Sequence, residues 1–139
     1  MGKMLSGMIA VIFMAGGLSA LTIGGASADP YPGTINTACH ADNLNNPRVG
    51  NPAKVRFRVG TDGNGAARGT VTFEYERRSS EFVVKQYERR YDGPDAEKYA
   101  FYSIPRGKYV VRVFFNSRPG DSVYQNCRTS FRQTIRPRR

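Results

Sequence analysis

Lys54-Val55-Arg56-Phe57-Arg58-Val59 places an apolar side chain at every second position and a cation at each position between. A period of two marks a strand with one face in a core and the other in water, because successive strand side chains leave on opposite faces. Val55, Phe57 and Val59 are therefore expected in the core. Downstream, Gly60-Thr61-Asp62-Gly63-Asn64-Gly65 supplies the flexible residues of a loop, and Thr70 to Tyr75 alternates again with Val71, Phe73 and Tyr75. Arg77 to Ser80 reads as a turn into Phe82-Val83-Val84-Lys85-Gln86-Tyr87, and Asp92-Gly93-Pro94-Asp95 breaks the chain before a strand from Lys98 to Ile104.

Pro105-Arg106-Gly107 then makes a tight connection to Tyr109-Val110-Val111-Arg112-Val113-Phe114-Phe115, which is apolar on nearly both faces. That composition predicts the middle of a sheet covered on both sides. Asn116 to Asp121 forms the next loop around Pro119-Gly120, and Arg128 to Ile135 makes a last strand with Phe131 and Ile135 inward. With a first strand around Ile35 to Cys39 there are seven. Seven short strands between Gly, Pro and Asp turns predict an all-β sandwich of immunoglobulin-like architecture.

The N-terminus has a different character. Lys3 precedes an uncharged apolar run from Met4 to Ala20, and a small-residue stretch closes on Ala26-Ser27-Ala28 before Asp29. A basic start, an apolar middle and an A-x-A site are the features of a secretory signal peptide, which places the working chain outside the cytoplasm. Left uncleaved, the stretch to Ala28 is long enough to cross a bilayer; after cleavage no membrane span is expected. Removing residues 1–28 from the 139 leaves 111, enough for one domain and too few for two. The expected organisation is an N-terminal extension with the first strand over 29–52, the sandwich body over 53–136 and a basic tail over 137–139.

Cys39 and Cys127 are the only cysteines, and an even count in an exported domain predicts one disulfide. It would tie the first strand to the last rather than join the sheets as an antibody domain's bridge does. The chain carries 21 Lys and Arg against 11 Asp and Glu, for a net charge of +10. The excess attracts polyanions such as anionic envelope polymers, or an acidic protein.

Gly69-Thr70-Val71-Thr72-Phe73 resembles the G-T-V-T-F strand of bacterial Ig-like repeat domains found in exported adhesins and other surface proteins. In the same order, Ile104-Pro105-Arg106-Gly107-Lys108-Tyr109-Val110-Val111 resembles that family's L-P-x-G-x-Y-x-V turn and strand. Pro119-Gly120-Asp121-Ser122-Val123-Tyr124 resembles its G-D-x-x-Y segment. The likeness covers most of residues 53–125 and implies the same sandwich, with no catalytic residues to carry over. This chain departs from the family in being single, bridged and basic, whereas the repeats occur in tandem and usually lack cysteine.

No catalytic constellation stands out, and neither an enzyme, a cofactor nor a metal is expected. His40 is the only histidine and follows Cys39 directly, which suits a strand residue beside the disulfide better than a general base. Asp62-Gly63-Asn64-Gly65 opens like a calcium loop, but Ala66, Ala67 and Arg68 occupy the next ligand positions, so a turn is expected. Glu74, Glu76, Glu81 and Glu88 lie amid Arg77, Arg78, Arg89 and Arg90 and are expected to form cross-strand ion pairs.

The last two strands give the one surface with a chemical signature. With Tyr109, Val111, Val113 and Phe115 inward, Lys108, Val110, Arg112 and Phe114 face out, as do Arg128, Arg132 and Arg136. Lys108, Arg112, Arg128, Arg132 and Arg136 form the candidate binding patch for a polyanion. The expected protein is a secreted or cell-surface, non-enzymatic binding module. The alternative is a secreted inhibitor or effector that engages an acidic protein through loop 60–68 or 116–124. Nucleic acid is not an expected partner, since the chain lacks the aromatic pattern of RNP or OB surfaces.

Overall fold

The computed structural model describes residues 35–120 and 123–139; the leader expected over 1–28 lies outside the described residues. Seven strands follow in order: β1 (Thr37–Asn43), β2 (Ala53–Thr61), β3 (Gly69–Arg77), β4 (Val83–Tyr91), β5 (Glu97–Phe101), β6 (Gly107–Ser117) and β7 (Cys127–Ile135). They build two antiparallel sheets, three-stranded β1-β2-β5 and four-stranded β4-β3-β6-β7, packed as a sandwich. The expected all-β architecture is the one observed.

Alternation positions the core. Val55, Phe57 and Val59 of β2 face Val71, Phe73 and Tyr75 of β3 and Tyr109, Val111, Val113 and Phe115 of β6, all buried. Phe57 sits at the centre, its ring 6.1 Å from Phe73, 5.2 Å from Tyr91 and 6.5 Å from Phe115. Edge-to-face and tilted pairs of this kind add to area burial because the positive ring edge meets a negative ring face. Gly69, which opens β3, is required by packing: a Cβ there would lie 2.0 Å from the Asn116 carbonyl oxygen on β6.

Several expectations are corrected. β6 lies between β3 and β7, but only one of its faces is covered; Val110 and Phe114 are half-buried and Lys108 and Arg112 exposed. A sandwich has two layers, so no third layer exists to cover the outer face. The first strand begins at Thr37, Ile35 making only an isolated bridge to Tyr124. The fifth ends at Phe101, because Ser103 takes a φ of 61° that breaks the extended run. β6 continues through Ser117. Cys39 and Cys127 are bonded, with Cα atoms 5.5 Å apart. Since β1 and β7 belong to different sheets, the bridge does join the two sheets, at one open side of the sandwich.

Gln133 is the inward residue of β7 that alternation alone did not distinguish. It is 1% exposed, more deeply buried than Phe131, and every one of its polar atoms is used. The Tyr75 hydroxyl donates to its Oε1 at 2.9 Å, and its Nε2 donates to Asn43 Oδ1 and the Asn45 carbonyl, each at 2.9 Å. Full satisfaction is what makes a buried amide tolerable, and here it couples β1, β3 and β7.

The core is rich in tyrosine, with consequences for pH. Burial pushes the Tyr75 and Tyr99 hydroxyls well above the usual phenol range, helped at Tyr99 by its hydrogen bond to the Glu97 carboxylate. Tyr87, Tyr91 and Tyr109 are raised for the same first reason. Unfolded, these phenols lose their protons near pH 10. Above that pH the unfolded chain binds fewer protons than the native one, so stability falls as pH rises; below it the contribution is fully present. Thermal melts are expected to hold steady from about pH 7 to 9 and fall progressively above about 10. The tyrosinate absorbance contributed by these five phenols should grow in step with unfolding. A folded protein in which Tyr75, Tyr87, Tyr91, Tyr99 and Tyr109 ionise near pH 10 would contradict this.

Candidate anion-binding face

The outer face of β6 and β7 is set by their register. Lys108 lies opposite Thr134, Val110 opposite Arg132, Arg112 opposite Ser130 and Phe114 opposite Arg128. Paired residues share a face, so Lys108, Arg112, Arg128 and Arg132 surround Val110 and Phe114 on one surface. All four cations are exposed. Arg136, also exposed, stands one step past the last β6–β7 pair, where its backbone bonds to Pro47 and Val49 instead. It extends the β7 column beyond the end of β6. A shallow hollow of about 600 Å³ runs along Val110, Arg112, Phe114, Arg128, Thr129 and Ser130.

No carboxylate stands on the outer face of β6 or β7. The nearest acids come from β3, where Glu74 and Glu76 lie opposite Arg112 and Val110. Glu76 takes Arg112 as its partner at 3.1 Å; the carboxylate side chain is 9% exposed and the guanidinium side chain 52%. Arg112 is therefore partly neutralised and held in place, leaving Lys108, Arg128 and Arg132 as the cations of this face with no acidic partner among the described residues. The acidic residues of β3 also bound the basic half of the sheet on one side.

Of the expected cross-strand ion pairs, Glu76 forms one, with Arg112 of β6, whereas Glu74, Glu81 and Glu88 form none among the described residues. Arg77 ends β3 opposite Tyr109 and Arg78 opens the hairpin turn after it, and the cross-strand neighbours of Glu74 on β4 and β6 are Gln86 and Arg112. Arg90 pairs with Asp92 at 2.8 Å, and Arg89 stacks its guanidinium over Phe101 and Tyr87, 5.4 and 5.8 Å from their centroids. By register Arg89 lies opposite Val71 and Tyr87 opposite Phe73, so the stacking is on the inner side of β4, with Arg89 itself exposed. Register decides these partners, and register is invisible in a run of mixed charges.

His40 is an exposed residue of β1, opposite Arg58. Loop 60–65 closes as a turn, with the Thr61 hydroxyl 3.1 Å from the carbonyl oxygens of both Gly63 and Gly65. Among the described residues no group of three or more His, Cys, Asp or Glu is placed to hold a metal ion. Of the segment 119–124, residues 121 and 122 lie outside the described residues.

A guanidinium presents a planar fork of donors that matches a phosphate or carboxylate, and a lysine adds a mobile point charge. Exposed cations around a small apolar floor can therefore hold an anionic polymer without a deep pocket, by summed electrostatics and contact with its apolar parts. Searches against known protein families and against curated proteins found no match to this chain.

Proposed function

We propose that this protein is an exported, non-enzymatic module that binds anionic polymers of the cell envelope through the outer face of β6 and β7. The observation that carries the reading is the register that gathers Lys108, Arg112, Arg128 and Arg132 on one exposed surface with a single engaged carboxylate, Glu76. Export is supported by the Lys3 to Ala28 leader pattern and by the Cys39–Cys127 disulfide, a bond that persists in oxidising compartments. Kinship with bacterial Ig-like repeats belongs to the same reading. Its support is that Gly69–Phe73 lies in β3 and Tyr109–Val111 in β6, neighbouring strands of one sheet.

Purified, oxidised protein is to be tested for retention on isolated bacterial envelopes across a salt series, beside a variant with Lys108, Arg112, Arg128, Arg132 and Arg136 changed to Gln. Displacing counterions makes polyanion binding fall linearly in log–log form with salt, with a slope of about −3 for four engaged groups on a single-stranded polymer. The variant is expected to bind at least about tenfold more weakly with a shallower slope. Retention that the five substitutions leave unchanged removes this face from consideration and turns the search to loops 60–68 and 116–124.

A further inference from the structure

The opposite side of the sandwich carries a second basic surface. On β2, the central strand of the three-stranded sheet, Lys54, Arg56 and Arg58 all point outward and are exposed. Lys98 of β5 lies opposite Arg56 and is exposed too. The one carboxylate among the outward residues of these three strands is Asp42, 3.1 Å from Arg56, with both side chains about half exposed at 60% and 48%. Lys54, Arg58 and Lys98 take part in no ion pair among the described residues. Of the outward neighbours, Ala100 lies opposite Lys54 and Ala38 opposite Gly60, while His40 lies opposite Arg58 and Asp42 opposite Arg56. A shallow hollow of about 330 Å³ opens between His40, Asp42, Arg56, Arg58 and Ala96.

Alternate residues of a strand lie about 6.6 to 6.8 Å apart, so Lys54, Arg56 and Arg58 make a straight row of cations along β2. The row of Arg128 and Arg132 on β7 belongs to the other sheet. Packed sheets stand about 10 Å apart with their outer faces turned away from each other. One extended chain lying along either row does not reach the second, but two chains can be held at once.

We infer that the domain is bivalent: it bridges two linear phosphate-bearing polymers, one on the β6–β7 face and one on the β1-β2-β5 face. Charge complementarity argues for the occupant. Each face offers four cations against one engaged acid and has no pocket deep enough for a compact ligand, while a phosphate chain supplies repeated anions for guanidinium forks in a row. The inference rests on the polyanion-binding reading and adds a second site and a consequence, the cross-linking of envelope polymers. Bridging multiplies retention on a surface that displays many chains, since the second contact is made at high effective concentration.

The test uses inorganic polyphosphate in two lengths. Calorimetry with a short oligophosphate, too short to link two domains, is expected to give two sites per oxidised protein. One site should remain after Lys54, Arg56, Arg58 and Lys98 are changed to Gln, and one after the five β6–β7 face residues are changed. With long polyphosphate at fixed concentration, light scattering should rise with added protein, pass through a maximum and fall when protein is in excess. Either face variant should scatter at least about tenfold less while still binding, because single-face contact does not cross-link. Unchanged melting curves confirm that the variants are folded.

A single site lost in the β6–β7 variant and kept in the β1-β2-β5 variant overturns bivalency while leaving the proposed function standing. A single site with the opposite pattern overturns both. Wild-type-like scattering from the β1-β2-β5 variant also overturns the inference. Equal scattering with polyglutamate overturns the assignment to phosphate, because carboxylate chains then serve as well.

Discussion

Replacing Cys39 and Cys127 together by alanine is expected to lower the unfolding free energy by about 4 to 5 kcal/mol, the chain-entropy value for a cross-link that closes a loop of roughly 90 residues. The separation is 88 residues, which spans nearly all the described domain, so the bond constrains almost the whole unfolded chain. Denaturant titrations of the oxidised protein and the double variant measure the difference directly. A loss under about 1 kcal/mol would show that the unfolded chain is already compact without the bond. A structural effect accompanies the entropic one. β1 and β7 are edge strands of different sheets, and without the bond their side of the sandwich is held by short backbone bridges, Ile35 to Tyr124 and Arg48 to Arg136, and by side-chain contacts such as Thr37 Oγ1 to the Gln125 carbonyl at 2.6 Å and the Gln133 hub. Cys127 is the first residue of β7 and Arg128 the next, so loss of the bond should also loosen one end of the basic face.

Phe57→Ala is expected to destabilise the domain by about 3 to 5 kcal/mol, the range for truncating a fully buried aromatic ring. Phe57 is 0% exposed and is the one ring that meets aromatics from three strands of the facing sheet, Phe73 of β3, Tyr91 of β4 and Phe115 of β6. Rings on opposed sheets cannot close toward each other without moving both backbones, so the cavity should persist and add to the lost transfer energy. Phe57→Leu, which refills part of the space, should cost clearly less. The measurement is again chemical denaturation, and a loss under about 1 kcal/mol in Phe57→Ala would show that the facing sheet collapses into the gap. Combined with loss of the disulfide, the summed penalty of about 7 to 10 kcal/mol is comparable with the whole stability of a small domain. The triple variant should then have little folded population at physiological temperature.

The two candidate faces differ in how far they are legible in the sequence. The β6–β7 patch followed from alternation plus the order of strands in an Ig-like sandwich, and the register now places Lys108, Arg112, Arg128 and Arg132 around Val110 and Phe114. The tie between Glu76 and Arg112 was not visible, because it depends on β3 lying beside β6 in one particular register, 36 residues apart in the chain. The β1-β2-β5 face was half visible. Lys54, Arg56 and Arg58 plainly share a side of β2, but the addition of Lys98 needs β5 to pair with β2, which sets Lys98 opposite Arg56, 42 positions earlier in the chain.

What the chain dictates by itself is therefore local: which stretches are strands, which side chains of each point inward, and where turns fall. These follow from the two-residue period and from turn chemistry, which act over a few neighbouring residues. What only the folded structure decides is which strands are neighbours, in which register, and hence which charges meet. β4 joins β3 rather than β5, the disulfide joins edges of opposite sheets, and Gln133 is the polar centre of the core rather than another alternating residue. Those outcomes depend on long-range packing, because hydrogen-bond ladders form equally well between many strand pairs and only the close fit of buried side chains selects one arrangement.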